Sequence, residues 1–254
     1  MDPLQAAGLI VAGAAAGAIN AVAGGGSLIS FPALMAFGID AKPANVTNTV
    51  ALWPGYLGGS LGYRRELRGQ ESRVVGLIAP AVLGALCGSA LLLATSADAF
   101  ETIVPFLILF ACALLAMQNW FGRMVAALRP HHDRDGGRLP VSLIATTFGL
   151  GVYGAYFGGG LGILTLAILG ILLPDDLHKS NALKGVLSLV INAAAVGWFA
   201  LFGPVEWLPA LMVAIGALLG GYFGVDFARR LGPRWLRFGV VAYGVVVASV
   251  LLVR

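Results

Sequence analysis

A lysine stands inside an apolar stretch of this 254-residue chain. Lys184 lies near the start of the run Ala-Leu-Lys-Gly-Val-Leu-Ser-Leu-Val-Ile-Asn, which covers positions 182–192. A buried ammonium group in lipid is costly unless it is paired or solvated by a cavity, so Lys184 is the best single candidate for binding an anion. The alternative is a lysine at a helix end whose ammonium reaches back to the membrane surface. The neighbouring Asp175 and Asp176 favour that alternative.

Amide and hydroxyl side chains accompany this lysine. Asn181 precedes it, and Asn192 follows it by eight residues, near the same face of a helix. Amides can donate hydrogen bonds to oxyanion oxygens without adding a charge. We therefore expect Ser180, Asn181, Lys184 and Asn192 to bind substrate. The alternative role for each asparagine is an interhelical hydrogen bond, worth about 0.6 to 2 kcal/mol in membranes.

The N-terminal half carries a related stretch without the charge. Thr47 and Asn48 align with Ser180 and Asn181, whereas Ala51 stands where Lys184 would align. The expected site therefore contains Thr47 and Asn48 as well, but it has a single fixed charge.

Three consecutive glycines interrupt an apolar stretch twice. The first triplet is Gly24, Gly25 and Gly26, and the second triplet is Gly158, Gly159 and Gly160. Each glycine costs a helix about 1 kcal/mol relative to alanine, and backbone freed in lipid must find partners or line a cavity. Transporter sites use such breaks, because half-helix N-termini attract anions. We expect half-helices to begin at Ser27 and Leu161, and both triplets together with Ser27 to bind substrate. The alternative is that the triplets only form tight interhelical turns.

The composition places these residues in a membrane protein. Hydrophobic residues make up 59% of the chain and charged residues 11%, against about 45–50% and about 25% in soluble domains. The net charge of +4 comes from arginines scattered in short loops, so nucleic acid is not an expected partner. We expect no metal or other cofactor: His131 and His132 lie in a charged loop, and Cys87 and Cys112 are expected to be packing residues.

Ten apolar runs divide into two related halves, and both triplets and the Gly17–Gly151 pair are offset by 134 positions (158 − 24 and 151 − 17). We expect one transmembrane domain with a first repeat at 1–121, a loop at 122–139 and a second repeat at 140–254. The runs are 4–23, 27–37, 46–63, 74–94, 103–121, 140–157, 161–173, 182–202, 207–228 and 236–253.

Loop charges orient the repeats. Positive loops face the cytoplasm, and the order of positive and negative loops is reversed between the halves, so the repeats are predicted to be inverted. Each repeat then crosses the membrane five times, or three times with a re-entrant hairpin, and 27–37 and 161–173 leave that choice open. The stretch before Lys42 lacks the positive region of a signal peptide, so we expect it to belong to the mature fold. The positive loops contain Arg64, Arg65, Arg68, Arg73, Arg123, Arg129, Arg134, Arg138, Arg229, Arg230 and Arg234, and the negative loops contain Asp98, Glu101 and Glu206.

The glycine triplet, the short apolar segment after it and the Thr-Asn or Ser-Asn pair resemble the sulfite exporter TauE/SafE family over nearly the whole chain. This resemblance implies a multi-pass permease for sulfite, sulfonates or related sulfur-containing anions. Ser180 departs from the more usual threonine of that motif.

These features together predict an all-α, multi-pass protein of the bacterial inner membrane that is not an enzyme. Its expected function is secondary transport, as an exporter, of a small sulfur-containing oxyanion by alternating access between the repeats. The alternative is a structural or assembly protein of the membrane that transports nothing. The residues specify neither the coupling ion, proton or sodium, nor the oligomeric state. No acidic residue lies deep in an apolar run, since Asp226 is close to Arg229.

Overall fold

The computed structural model describes residues 2–22, 25–62, 67–127, 139–173, 177–231 and 233–253, and over these ranges it is all-helical. The helices are α1 Pro3–Val22, α2 Ser27–Ala36, α3 Ala41–Gly62, α4 Glu71–Ala94, α5 Ala97–Ala127, α6 Val141–Tyr156, α7 Leu161–Leu172, α8 Leu177–Phe202, α9 Trp207–Leu231 and α10 Pro233–Val253.

The predicted membrane class is confirmed. Helices satisfy their backbone hydrogen bonds within one segment except at the ends, which suits lipid, and five segments are long and apolar enough to cross a bilayer. Large apolar side chains such as Val141, Leu201 and Tyr222 are exposed, which suits contact with acyl chains. The five segments are Pro3–Asn20, Glu71–Ala94, Ala97–Met124, Lys179–Phe202 and Trp235–Val253.

Two helices are too short to cross alone. α2 has 10 residues and α7 has 12, which correspond to about 15 and 18 Å against a hydrocarbon core of about 30 Å. α2 folds back along α1, because Gly8 faces the ring of Phe37 and Gly26 faces the carbonyl oxygen of Ala16. α1 and α2 therefore form a helical hairpin, with Gly25 and Gly26 between them.

Glycines allow two pairs of helices to cross at very short distance. A Cβ on Gly17 of α1 would collide with the carbonyl oxygen of Ala217 in α9, and one on Gly88 of α4 would collide with that of Val152 in α6. Small residues allow such close backbone approach in lipid. These two glycines are therefore packing residues.

Both pairs join the two halves of the chain. α1 packs most extensively on α9, and α4 packs most extensively on α6. In the repeat alignment α1 corresponds to α6 and α4 corresponds to α9, so the same kind of pair occurs twice, each time across the halves. The inverted relation of the halves and their boundaries stay predictions.

The two cysteines differ in surroundings. Cys112 is buried, and its sulfur would contact a Cβ placed on Gly244 of α10 at 2.5 Å, so it is a packing residue as expected. Cys87 is exposed on α4, so the expectation that it packs internally is wrong.

Several residues used above lie outside the described part of the chain: Gly24, Arg64, Arg65, Arg129, His131, His132, Arg134, Arg138, Asp175 and Asp176. The side chains of Asp226, Arg229, Arg230 and Arg234 also lie outside it.

Candidate functional site

The first triplet is held by a side chain from the helix before it. Oδ1 of Asn20 accepts a hydrogen bond of 2.8 Å from the backbone N–H of Gly26. Gly25 has a φ of 88°, a left-handed conformation that favours glycine. α2 begins at the next position, Ser27, as predicted, and no side chain caps its N-terminus. The N–H groups of Leu28 and Ile29 donate to the carbonyl oxygens of Gly25 and Gly26, and the positive end of the helix dipole lies here.

The second triplet is held in a different way. The hydroxyl of Tyr153 donates to the carbonyl oxygen of Gly159, and both Gly158 and Gly160 have a φ of 74°. α7 begins at Leu161, as predicted, again without a side-chain cap. Gly26 has a φ of −56°, whereas Gly160, its equivalent in the second repeat, has a φ of 74°, so the two breaks differ in backbone conformation.

Both triplets pack against the same turn and a half of α5. A Cβ on Gly25 would lie 3.2 Å from Leu115, and one on Gly160 would lie 3.2 Å from Leu114. A Cβ on Gly159 would lie 3.1 Å from Ala111. α5 is thus a common wall for the two breaks.

One polar pair lies beside the first turn of α2. The hydroxyl of Ser30 is 2.5 Å from Oδ1 of Asn48 and 3.3 Å from the carbonyl oxygen of Gly26. Ser30 and Asn48 are both buried. Asn48 is predicted as a site residue from the sequence but Ser30 is not, because serines in apolar runs are common and nothing in the spacing connects positions 30 and 48.

A second polar pair lies beside the first turn of α7. Nζ of Lys184 donates to Oδ1 of Asn181 at 3.0 Å, and a Cβ on Gly162 would lie 3.9 Å from Cδ of Lys184. Lys184 and Asn181 are half-buried. Each short helix therefore has a polar pair next to its N-terminal turn, and only the second pair carries a charge.

The remaining predicted residues have other partners. Oγ1 of Thr47 accepts from the backbone N–H of Glu206 at 3.0 Å, in the connection before α9. Asn192 is buried and donates to the carbonyl oxygen of Ser188 at 2.8 Å. Ser180 is buried.

The two polar pairs lie towards opposite ends of the bundle. Thr47, near the start of α3, contacts the connection that follows α8, whereas Gln70, which follows α3, donates to the carbonyl oxygen of Lys179 near the start of α8 at 3.2 Å. α3 and α8 therefore run in opposite directions. Lys184 is 18 residues from the end of α8 at Phe202 (202 − 184), about 27 Å along the helix. The predicted residues thus form two groups and not one cluster.

An apolar pocket of about 210 Å³ lies between α1, α2 and α10 and contains neither polar pair. It is lined by Ile19, Ile29, Trp235, Leu236, Gly239 and Val240.

Comparison with known proteins identifies the family. The sequence profile described as "Sulfite exporter TauE/SafE" matches residues 9–251. The chain belongs to this family. The resemblance seen in the glycine triplets and the Thr-Asn and Ser-Asn pairs is therefore confirmed, and this TauE/SafE protein is a multi-pass bacterial membrane transporter with a small-molecule substrate.

Three relatives of this TauE/SafE protein are similar along nearly their whole length. "Probable membrane transporter protein ORF9" of Sinorhizobium sp is 29% identical, covering 96% of this chain and 91% of the relative. "Probable membrane transporter protein YfcA" of Escherichia coli strain K12 is 27% identical, covering 99% and 91%. A "Probable membrane transporter protein" of Haemophilus influenzae is 30% identical, covering 92% and 89%. No solved structure matches the chain.

Proposed function

We propose that this protein is a secondary transporter of a small oxyanion and that Lys184 and Asn181 form the charged part of its substrate site. One observation carries the proposal: Nζ of Lys184 donates to Oδ1 of Asn181 at 3.0 Å, beside the first turn of α7. The N-terminus of α7 has no side-chain cap. The ammonium group of Lys184, the amide group of Asn181 and the positive end of the α7 dipole therefore lie in one small region.

The donor count favours an anion. The hydrogen bond between Lys184 and Asn181 uses one ammonium N–H and the amide oxygen. Two ammonium N–H groups and the amide NH₂ group are left to donate. The N–H groups of Leu161 and Ile163 donate to the carbonyl oxygens of Gly158 and Gly160, so α7 contributes the partial positive charge of its dipole rather than free donors. An oxyanion presents several acceptor oxygens to such donors, whereas a cation would be repelled.

The description of the family supports a sulfur-containing substrate, such as sulfite or an organosulfonate, and supports export as the direction. The pair Ser30–Asn48 is the uncharged counterpart of this site at α2. The glycine triplets supply the backbone breaks before Ser27 and Leu161, and Thr47 bonds the connection before α9. Ser180 and Asn192 lie on α8 together with Lys184.

We assign the transport cycle to alternating access between inverted repeats in the inner membrane. The packing of α1 on α9 and of α4 on α6 supports this assignment, because each half contributes one helix to both interfaces. A movement of one half against the other would then act on both triplets.

Flux through proteoliposomes tests the proposal. Vesicles containing the purified protein are loaded with radiolabelled sulfite or a small sulfonate, and efflux is measured for the parent, Lys184→Ala, Lys184→Arg and Lys179→Ala. We expect Lys184→Ala to lose at least about tenfold in flux, since a fixed charge partner of a partly desolvated ion contributes about 1.5 to 3 kcal/mol. Lys184→Arg keeps the charge and should retain part of the flux.

Lys179→Ala is the matched control, because Lys179 is exposed and lies five residues earlier on the same helix. It should leave flux unchanged. Undiminished flux in Lys184→Ala would remove the charged site from the mechanism. A parent protein that moves none of the anions would favour the alternative of a structural protein.

A further inference from the structure

Four polar side chains follow one face of α8. Asn181, Lys184, Ser188 and Asn192 are spaced by three, four and four residues, and such spacings place side chains on one side of a helix. From Asn181 to Asn192 the stripe is 11 residues long (192 − 181), about 16 Å along the helix. The polar face thus continues from the proposed anion site towards the middle of α8.

Ser188 is the member of this stripe whose hydroxyl is not engaged. Its exposed fraction is 2%, and its Oγ has no hydrogen-bond partner among the residues that the structure describes. Serine and threonine in helices commonly donate to the carbonyl oxygen four residues earlier. Thr49, Thr147 and Thr165 make that bond, at 3.0, 2.7 and 2.8 Å, but Ser188 does not.

The backbone carbonyl oxygen of Ser188 already accepts a hydrogen bond from a side chain of the same face. Asn192 donates its amide N–H to the carbonyl oxygen of Ser188 at 2.8 Å, so one turn of the stripe is fixed by its own members. A buried hydroxyl without a partner is unusual in folded proteins. The hydroxyl of Ser188 is therefore available to a group that passes along this face of α8.

We infer that Ser188 forms a second, uncharged binding site for the transported anion, one turn beyond Lys184. This inference rests on the proposed anion transport. The side chain of Lys184 points back towards Asn181, as helical side chains point towards the N-terminus, so a small anion bound at Nζ does not reach Ser188 at the same time. The anion contacts the hydroxyl after it leaves the ammonium group.

A neutral hydrogen-bond donor such as the Ser188 hydroxyl suits a second binding site. Transport needs sites that bind an ion strongly enough for entry and weakly enough for release. A second ammonium group would trap an anion, whereas one hydroxyl replaces a hydration contact at little net gain. The order of the stripe, with charge at one end and neutral donors beyond it, matches entry at Lys184 and onward passage at Ser188.

Two measurements on the same variants separate binding from translocation. Anion binding is measured by calorimetry on detergent-purified protein with sulfite or a small sulfonate as the probe, and initial flux is measured in proteoliposomes over a range of anion concentrations. The variants are Ser188→Ala, Ser188→Thr, Lys184→Ala and Ser89→Ala. Ser89 is the matched control, since it is equally buried and its Oγ also has no partner among the described residues, but it lies on α4.

We expect Ser188→Ala to lower the maximal flux about tenfold, the effect of about 1.4 kcal/mol on a barrier, with binding affinity within about threefold of the parent. Ser188→Thr keeps the hydroxyl and should recover most of the flux. Ser89→Ala should resemble the parent in both measurements. Ser188→Cys, which is somewhat larger than serine and donates only weakly, replaces Ser188→Ala if that variant does not reach the membrane.

Every other outcome would contradict either the second binding site at Ser188 or the anion site at Lys184. Parental flux in Ser188→Ala, with binding lost in Lys184→Ala, would overturn the second binding site at Ser188 and leave the proposed function intact. Loss of binding in Ser188→Ala would also overturn it, by placing the hydroxyl in the first site. Parental binding and flux in Lys184→Ala would overturn the proposed anion site itself.

Discussion

The ring of Phe31 packs edge-on against the ring of Phe157, with ring centroids 5.7 Å apart and planes at 87°. Phe31 belongs to α2, which follows the first triplet, and Phe157 directly precedes Gly158 of the second. Their exposed fractions are 1% and 5%. The two broken segments therefore touch through buried aromatic side chains, and each limits where the other can lie.

Removal of this contact should destabilise the protein. We expect Phe157→Ala to lower the free energy of unfolding by about 3 kcal/mol, through lost packing and the cavity left behind. Thermal unfolding in detergent measures this loss. The control is Phe148→Ala in α6, where the ring is 39% exposed and the expected loss is below about 1 kcal/mol. An equal loss in both variants would contradict a special role for the Phe31–Phe157 contact.

The close crossing of α1 and α9 makes a second prediction. Gly17→Ala would push a methyl group into the carbonyl oxygen of Ala217. Because the backbone of α9 cannot turn aside as a flexible side chain could, the two helices must separate. We expect a loss of about 1 to 3 kcal/mol and a lower yield of folded protein, measured by size-exclusion chromatography and thermal unfolding.

Gly149→Ala in α6 is the matched control for this substitution. A Cβ at Gly149 would meet nothing within 4 Å, and alanine has the higher helix propensity by about 1 kcal/mol. The control should therefore be neutral or slightly stabilising. A stable Gly17→Ala variant would show that α1 and α9 are not tightly packed in the membrane.

The beginnings of the short helices could be predicted from the sequence, and so could the membrane class. Ser27 and Leu161 follow three glycines, and glycine marks a helix boundary through its own backbone freedom. Helix packing at Gly17 and Gly88 was also predictable, since small residues four apart act through the absence of a side chain. These signals are local, so no knowledge of the tertiary structure is needed.

The partners of the polar side chains could not be predicted in the same way. Ser30 meets Asn48, and Nδ2 of Asn45 donates to the carbonyl oxygen of Tyr156 at 2.9 Å. Such bonds depend on how distant helices are rotated and how far they are shifted along each other. Asn20 aligns with Gly154 in the repeat, so the repeat gave no support to its role at the first triplet.

The separation of Asn48 from Lys184 has the same origin. Both belong to matching motifs, and the alignment of the repeats places them in one set. Only the opposite directions of α3 and α8, fixed by the contacts of Thr47 and Gln70, show that the motifs lie towards different ends of the bundle. Sequence similarity between repeats identifies equivalent positions but not neighbouring ones.

The contact between Thr47 and Glu206 gives the last prediction. It joins α3 of the first half to the connection between α8 and α9 of the second. If the halves move against each other during transport, a covalent bond at this point should stop the cycle. The 3.0 Å hydrogen bond between Oγ1 of Thr47 and the N–H of Glu206 limits the distance between the two Cα atoms to about 7 Å, the upper end of the range that disulfides span.

The test uses Thr47→Cys with Glu206→Cys in a protein whose Cys87 and Cys112 are replaced by alanine. We expect oxidation to cross-link the pair, to reduce anion flux at least about tenfold and to leave anion binding at Lys184 in place, with flux restored by a thiol reductant. Each single-cysteine variant is treated identically and should keep its flux, which separates the cross-link from the loss of the Thr47 hydroxyl. A fully cross-linked protein that transports at the parental rate would mean that this end of the bundle stays closed throughout the cycle, and the alternating movement of the two halves would then have to be abandoned.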